Sequence, residues 1–215
     1  ETERVTMTAA VPTVWLALLD HLNRSQGKLH YLKRVAIGGS ACPRAMTEAF
    51  EKNYGVTVAH AWGMTEMSPL GSFCSIKPDL KGLDDDALYS LKMKQGFPAF
   101  TVEMKITDDQ GKSLPQDGTT FGRLKVRGPA VARQYFGHTD SLLDETGFFD
   151  TGDVATIDPH GYMHITDRSK DVIKSGGEWI SSIELENLAI GHPAVAEAAV
   201  IGVAHPKWDE RPLLI

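Results

Sequence analysis

The run RVAIGGSACPRAMTEAFEKNYGVTVAH, residues 34–60, decides the fold. Arg34–Ile37 has the texture of a short strand and stops at Gly38-Gly39-Ser40. Pro43 stands where a helix over Arg44–Asn53 would begin, Gly55 where it would end, and Val56–His60 reads as the next strand. Two strands joined by a helix at this spacing pair in parallel, because a parallel neighbour cannot be reached through a tight turn. The expectation is an α/β layer. In open sheets of this kind ligands collect beyond the carboxyl ends of the strands, which directs attention to the loops Gly38–Ala41 and Trp62–Ser68.

Working outward, Val5–Ala9 reads as another short strand, and Pro12 leads into Val14–Leu22, whose apolar residues fall at helical spacing. Asp84-Asp85-Asp86 marks a solvated helix start. From about Phe97 the texture changes to strands (Val102–Thr107, Gly122–Val126) separated by turn signals at Asp108–Gly111 and Gln116-Asp117-Gly118. Val154–Ile157 and Tyr162–Thr166, joined by Asp158-Pro159-His160-Gly161, add a hairpin, so 97–167 is expected to be antiparallel and barrel-like. After Arg168 come a short strand (Asp171–Lys174), a helix (Ile183–Ile190) and a strand (Val195–Val203), with a boundary at 168–170.

Composition narrows the function classes. With 215 residues and 42% hydrophobic content the chain can bury a real core. A formal charge of -6 without a basic cluster argues against a nucleic-acid partner. Two cysteines, Cys42 and Cys74, are too few for a disulfide scaffold and point to a reducing, cytoplasmic setting. No apolar run approaches the roughly 18 residues of a membrane span. The sequence opens on Glu-Thr-Glu-Arg without Met or an apolar leader and stops at Pro212–Ile215 as a strand begins, so both ends are expected to be cut from a longer protein.

Some motif matches fail on their chemistry. Gly111-Lys112-Ser113 lacks the earlier glycine of a phosphate loop, since Ile106 stands there, and reads as a turn. His160 and His164 have the spacing of a helical metal pair but flank a glycine in hairpin texture, where that spacing does not converge. Gly38-Gly39-Ser40-Ala41 could let a flat ring lie against the backbone, or be an ordinary turn. Trp62-Gly63-Met64-Thr65-Glu66 supplies an aromatic face, a hydroxyl and a carboxylate suited to Mg²⁺ beside phosphates; its plain alternative is a buried Trp before a polar turn. The densest polar chemistry lies in 151–187.

Gly38-Gly39-Ser40-Ala41, Trp62-Gly63-Met64-Thr65-Glu66, Thr151-Gly152-Asp153, Asp167-Arg168-Ser169-Lys170-Asp171 and Lys174-Ser175-Gly176-Gly177-Glu178 follow one another in the order and spacing of the adenylate-forming acyl-CoA synthetase superfamily, the AMP-binding enzymes. The chain resembles that superfamily over nearly its whole length. The fatty-acyl-CoA ligase branch is the most similar, through Lys174–Ser182 and Trp208-Asp209-Glu210-Arg211-Pro212. The resemblance implies an α/β fragment of the acyl-CoA synthetase-like fold. Residues 1–96 would be the α/β part of the large AMP-binding domain, 97–167 its barrel-like subdomain, 168–170 a hinge, and 171–215 the start of a small α+β C-terminal domain.

Carried over position by position, the resemblance implies that Gly39, Ser40 and Ala41 border an adenine on which Trp62 stacks. It implies that Thr65 contacts the α-phosphate, Glu66 binds Mg²⁺, Asp153 accepts from both ribose hydroxyls, and Arg168 donates to ribose or phosphate. Lys170 would be the pivot about which the small domain turns. Lys174, Gly176, Gly177, Glu178 and Trp179 would form a loop lining a coenzyme A channel. Gly176-Gly177 could instead be only the approach to a helix.

The reaction so implied joins a carboxylic acid to ATP, giving acyl-AMP and pyrophosphate, and then transfers the acyl group to coenzyme A with release of AMP. A medium- or long-chain fatty acid is the expected substrate, with a short thioether acid such as 3-methylthiopropionate as the alternative. Trp15, His60–Trp62 and Met67–Gly71 are the expected acyl-pocket walls. The family's Ser/Thr/Gly-rich phosphate loop, an aromatic-rich segment and a C-terminal lysine do not occur in these residues, so the piece alone is expected to be inactive. A different class, a nucleotide-binding or interaction module without catalysis, stands beside the enzyme.

Overall fold

A computed structural model describes residues 2–190, 192, 194–195 and 197–215. The chain forms two compact units. The first comprises Glu1–Glu103, Gly128–Ala132 and His160–His164, and the second Met104–Arg127, Arg133–Pro159 and Ile165–Ile215.

In the first unit β1 (Met7–Ala10) leads to α1 (Pro12–Ser25), β2 (Arg34–Ile37), α2 (Arg44–Glu48) and β3 (Thr57–Gly63). The unit continues through β4 (Leu70–Phe73), α3 (Asp85–Met93) and β5 (Phe97–Pro98). The five strands lie in sequence order in one sheet. β1, β2 and β3 are parallel, with Ala36 beside both Ala9 and Ala59; of these pairings residues 34–60 predicted that of β2 with β3. Beyond Gly55 the third strand outruns its expected end at His60 because it changes partner. Thr57–His60 pair with β2, which ends at Ile37, and Ala61–Gly63 then pair antiparallel with β4. Trp62, expected in a loop, is therefore on a strand.

α1 carries Trp15, Leu19 and Leu22 on one buried face, and Gln26 in the left-handed region ends it by donating to the Leu22 carbonyl. Trp15 meets Phe50 edge-on at 5.6 Å and its indole donates to the Ala10 and Ala36 carbonyls at 3.0 and 3.3 Å. Val35, Ile37, Met46, Val56 and Val58 complete this core. Each such side chain contributes about 1.5–3 kcal/mol through burial. Trp15 is thus a core residue with a satisfied indole, not the pocket wall expected of it. The helix expected over Arg44–Asn53 spans those residues, but α2 gives way to a π-helical turn at Ala49–Asn53. Asp84 caps α3 by accepting from the Ala87 N–H at 2.8 Å, with Asp85 and Asp86 in its first turn.

In the second unit β6 (Glu103–Thr107, whose first residue belongs to the first unit), β7 (Gly122–Arg127), β8 (Phe149–Ile157) and β9 (Met163–Arg168, entered from the first unit) form a sheet in that order. β7 and β8 are antiparallel, with Val126 beside Phe149. β8 starts five residues before the expected Val154. Its polar first half is held by β7, where the Thr151 hydroxyl donates to the Leu124 carbonyl at 2.9 Å. The chain then forms β10 (Ile173–Ser175), β11 (Glu178–Ile180), α4 (Ser182–Ile190), β12 (Val200–His205) and β13 (Asp209–Leu214), with sheet order β11-β10-β13-β12. The strand expected over Val195–Val203 lies at β12, whose register runs from Val200 beside Leu214 to His205 beside Asp209. Ala196, in that expectation, lies outside the described residues.

Candidate functional site

The first cluster lies where β2 and β3 end. Gly38 passes so close to β3 that a Cβ there would stand 3.0 Å from the Ala61 carbonyl oxygen. Gly39 has φ +87, and Ser40 and Ala41 are exposed. His60, beside Ile37 in the register, is only 3% exposed. Its Nδ1 lies 3.0 Å from the Met93 carbonyl, and since a carbonyl only accepts, Nδ1 carries the proton. Burial pushes this imidazole below its ordinary value, the Met93 and Ser40 groups pull it back, and nearby His164 adds to the lowering.

The Trp62 ring covers Gly71, where an added Cβ would come within 2.4 Å of the indole. The half-buried indole thus packs against bare backbone at Gly71. Thr65 opens a 3-10 turn through Met67, which Ser68 ends with φ 59. Thr65 is exposed and Glu66 half-buried, and the Glu66 carbonyl accepts from the Ala132 N–H at 2.7 Å. The Ser68 hydroxyl donates to the Ala130 carbonyl at 3.2 Å, which fixes the other end of the turn.

The second cluster belongs to the second unit. Arg168 Nη1 lies 3.0 Å from Asp153 Oδ1, with the carboxylate side chain 5% exposed and the guanidinium 57% exposed. This is not the surface ion pair that the two residue types alone would permit. A buried carboxylate on β8 is compensated by a cation whose other donors reach solvent. The Asp153 N–H donates to the Thr151 hydroxyl at 3.1 Å, and Ser169 N–H donates to the Gly152 carbonyl at 2.9 Å, so the ends of the two strands are tied at the pair. Lys170 is exposed in the turn that follows, where the N–H groups of Asp171 and Val172 both return to the Arg168 carbonyl.

The third cluster is Lys174–Trp179. A loop was expected here, and the chain instead makes a tight hairpin. Lys174 pairs with Trp179 and Ser175 with Glu178, leaving Gly176 and Gly177 as a two-residue turn with φ +60 and +88. Two successive positive φ values define the turn that matches strand twist, and glycine adopts them without strain. The Lys174 ammonium sits 5.0 Å from the centre of the Trp179 ring and 3.0 Å from Asp109 Oδ2. Thr119, Thr120, Phe121, Gly177, Glu178 and Trp179 line an open cavity of about 520 Å³. Behind the turn, a Cβ on Gly176 would meet the Trp208 ring at 2.7 Å, the Gly176 N–H donates to the Trp208 carbonyl, and Lys174 N–H donates to Glu210 Oε2 at 2.9 Å.

The sequence reading missed Asp109, the contact of Asp167 with Ser182 and the bond of His60 to the Met93 carbonyl. Asp109 looked like turn punctuation, and its pairing with Lys174 across 65 residues has no local signal. Asp167 could have been found through its partner. Ser181-Ser182 ahead of an apolar run is a helix-cap signal, and the Ser181 hydroxyl does accept from the Glu184 N–H at 3.1 Å.

The AMP-binding enzyme family matches residues 1–136, and the AMP-binding enzyme C-terminal domain matches 184–215. The chain is 54% identical over its full length to the 3-methylmercaptopropionyl-CoA ligase of Ruegeria lacuscaerulensis, covering 40% of that protein. It is 51% identical to the medium-chain-fatty-acid–CoA ligase of Ectopseudomonas oleovorans, with 99% of this chain and 39% of that protein covered. Among solved structures it is similar to o-succinylbenzoate CoA synthetase from Bacillus subtilis. The TM-score is 0.80 at 31% identity for the complex with the acyl-adenylate intermediate, covering 98% of this chain and 41% of the other. For the complex with ATP and magnesium ion it is 0.79 at 30% identity, covering 99% and 42%. The chain spans about 40% of the length of the curated relatives it matches. With its fold, its ordered motifs and both family matches in agreement, this chain belongs to the AMP-binding enzyme family.

Proposed function

We propose that the chain is the middle-to-late part of an AMP-forming acyl-CoA ligase. The enzyme condenses a carboxylic acid with ATP to acyl-AMP and pyrophosphate, and then passes the acyl group to the thiol of coenzyme A, releasing AMP. The observation that carries the reading is the Asp153–Arg168 pair. A buried carboxylate held by a half-exposed guanidinium keeps acceptor capacity for a vicinal diol and donors for a phosphate. In this reading Asp153 binds the ribose and Arg168 steadies ribose or phosphate. Gly39, Ser40 and Ala41 border the adenine, Trp62 stacks on it, and Thr65 meets the α-phosphate.

Glu66 fits a magnesium ion that takes one protein carboxylate and completes its shell with water and substrate phosphates. The ion would supply charge neutralisation at the phosphates. Among the described residues no group of three or more His, Cys, Asp or Glu is placed to hold a metal. Lys170 is the pivot between the two half-reactions, and the Lys174–Trp179 hairpin faces the pantetheine arm of coenzyme A. No described helix is long and apolar enough to cross a membrane. Two buried free thiols fit a reducing compartment, for which the cytoplasm is the reading.

The substrate is a medium- or long-chain fatty acid, supported by 51% identity to a medium-chain ligase. A short thioether acid is the second reading, favoured by 54% identity to the 3-methylmercaptopropionyl-CoA ligase. The test is an assay of the full-length enzyme with carboxylic acids from short to long chain, following AMP formation in the presence of coenzyme A. AMP release that requires both acid and coenzyme A supports the ligase. ATP binding without AMP release from any acid would leave the non-catalytic module. The 215-residue chain alone is expected to show no steady pyrophosphate release.

A further inference from the structure

Gly71 is the residue of β4 that the pairing with β3 skips. Gly63 stands opposite Leu70 and Trp62 opposite Ser72, so the register leaves Gly71 without an opposite residue. An extra residue of this kind bends a strand and re-aims the side chains around it. The backbone is nonetheless fixed here, since the Gly71 carbonyl accepts from the Ala99 N–H at 2.9 Å. Onto it the outer edge of the Trp62 indole is laid. A Cβ at 71 would stand 2.4 Å from Cζ3, 2.6 Å from Cε3 and 3.0 Å from Met67 Cε. At Gly63, by contrast, a Cβ would strike backbone, 1.9 Å from the Pro69 carbonyl oxygen, so that glycine serves the turn itself. The atoms nearest to a Cβ at 71 all belong to side chains, of which Met67 is buried and Trp62 half-buried. The indole is the partner with solvent to move into, so a side chain at 71 displaces the ring before it displaces the backbone or the methionine.

We infer that Gly71 is a positioning residue for the nucleotide, its missing side chain setting how deeply the Trp62 ring sits and so the plane on which the base stacks. The inference rests on the reading that Trp62 stacks on the adenine. Gly71 acts through the indole, and its effect falls on ATP rather than on coenzyme A or the acid. A ring seated against fixed backbone before the ligand arrives leaves less ordering to be done on binding.

The test is ATP calorimetry and steady-state kinetics of the full-length enzyme with Gly71→Ala, Trp62→Phe and the double variant. Removing an aromatic that stacks on a base weakens binding roughly five- to a hundredfold. A displaced ring keeps part of that contact, so Gly71→Ala is expected to weaken ATP binding about three- to tenfold, with KM for coenzyme A and for the acid within about twofold of wild type. Phenylalanine lacks the Cε3–Cζ3 edge, so in the Trp62→Phe background the same change at 71 is expected to cost less than about twofold, the coupling of two residues in contact. If Gly71→Ala alone does not fold, the other two variants decide. The double variant should then fold and bind ATP like Trp62→Phe, and its failure to do so overturns the inference. Unchanged ATP affinity in Gly71→Ala, an equal loss in both backgrounds, an equal rise in every substrate KM, or a change confined to the acid also overturns it. Calorimetry separates this from the underlying reading. Wild type that fails to bind ATP, or binds it no more tightly than Trp62→Ala, fails the stacking itself, whereas Trp62-dependent binding with an inert Gly71→Ala fails only the inference.

Discussion

Asp167 Oδ2 accepts from both the backbone N–H and the hydroxyl of Ser182, at 2.7 and 2.9 Å, so a buried carboxylate at the end of β9 caps a helix that begins fifteen residues later. The adjoining Ser181 hydroxyl donates to the Thr166 carbonyl at 2.6 Å, tying the same two segments a second time. The positive end of α4 thus meets a negative charge that lies on β9. Ser182→Ala, which keeps the N–H bond, is expected to cost about 1 kcal/mol of unfolding free energy, and Asp167→Ala roughly 2–3 kcal/mol because both bonds go. Urea unfolding checks the order. Equal losses from the two variants would show that the hydroxyl, not the helix end, carries the contact.

Asp153→Asn keeps the shape of the side chain and removes its charge. If the carboxylate accepts from the ribose hydroxyls, AMP affinity of the full-length enzyme falls about ten- to a hundredfold, the range for hydrogen bonds to a charged group. Isothermal calorimetry with AMP measures it. Affinity within twofold of wild type would remove the ribose assignment while leaving the family membership intact.

The two cysteines are expected to be silent in the native protein. Burial pushes the Cys74 thiol up to about 12, with Lys92 and Lys94 pulling weakly the other way. Burial also raises Cys42, partly offset by its hydrogen bond with Thr47. Thiolate, not thiol, is the nucleophile. Titration with an aromatic disulfide at pH 8 should find neither thiol in native buffer and both in guanidinium chloride.

Acid stability should report on Asp144. Burial opposes its charged form, but Lys125 at 2.9 Å, the Thr146 hydroxyl and the N–H groups of Phe148 and Thr146 outweigh it, and the carboxyl is held well below the ordinary value of 3.8. The folded state therefore binds this proton less readily than the unfolded one. Its stabilisation is fully present above the ordinary value and is lost as pH falls below it towards the folded value. Asp144→Asn should lower the urea midpoint at pH 6 and flatten its fall between about pH 4 and 2.5. An acid limb unchanged by the substitution would refute the assignment.

How much could be read from the residues differs from element to element for physical reasons. β2, the helix after Pro43 and the parallel pairing were legible because glycine and proline punctuate a short run with clear periodicity. The last three residues of β3 were not, since their strand conformation depends on β4 arriving from the other side. Nor was Phe149–Asp153, where Asp150, Gly152 and Asp153 break the apolar pattern and β7 supplies the pairing. β11 escaped because a three-residue strand after two glycines looks like the approach to a helix. The identity of Asp153 and Arg168 was available from the resemblance, but their ion pair joins two strands and leaves no mark in local sequence. His60 lay in plain view two residues before Trp62, yet the carbonyl it bonds comes from position 93.

The contact of Gly176 and Lys174 with Trp208 and Glu210 bears on how this protein could be re-engineered. Lys174-Ser175-Gly176-Gly177 and Trp208-Asp209-Glu210 are separate words in the sequence but one mechanical part, with the indole lying where any Cβ at 176 would be. A graft that imports the first run from a distant relative without the second brings foreign backbone against a resident tryptophan and a resident carboxylate. Chimeras cut between residues 177 and 208 should therefore express less well than those in which the two runs come from one parent.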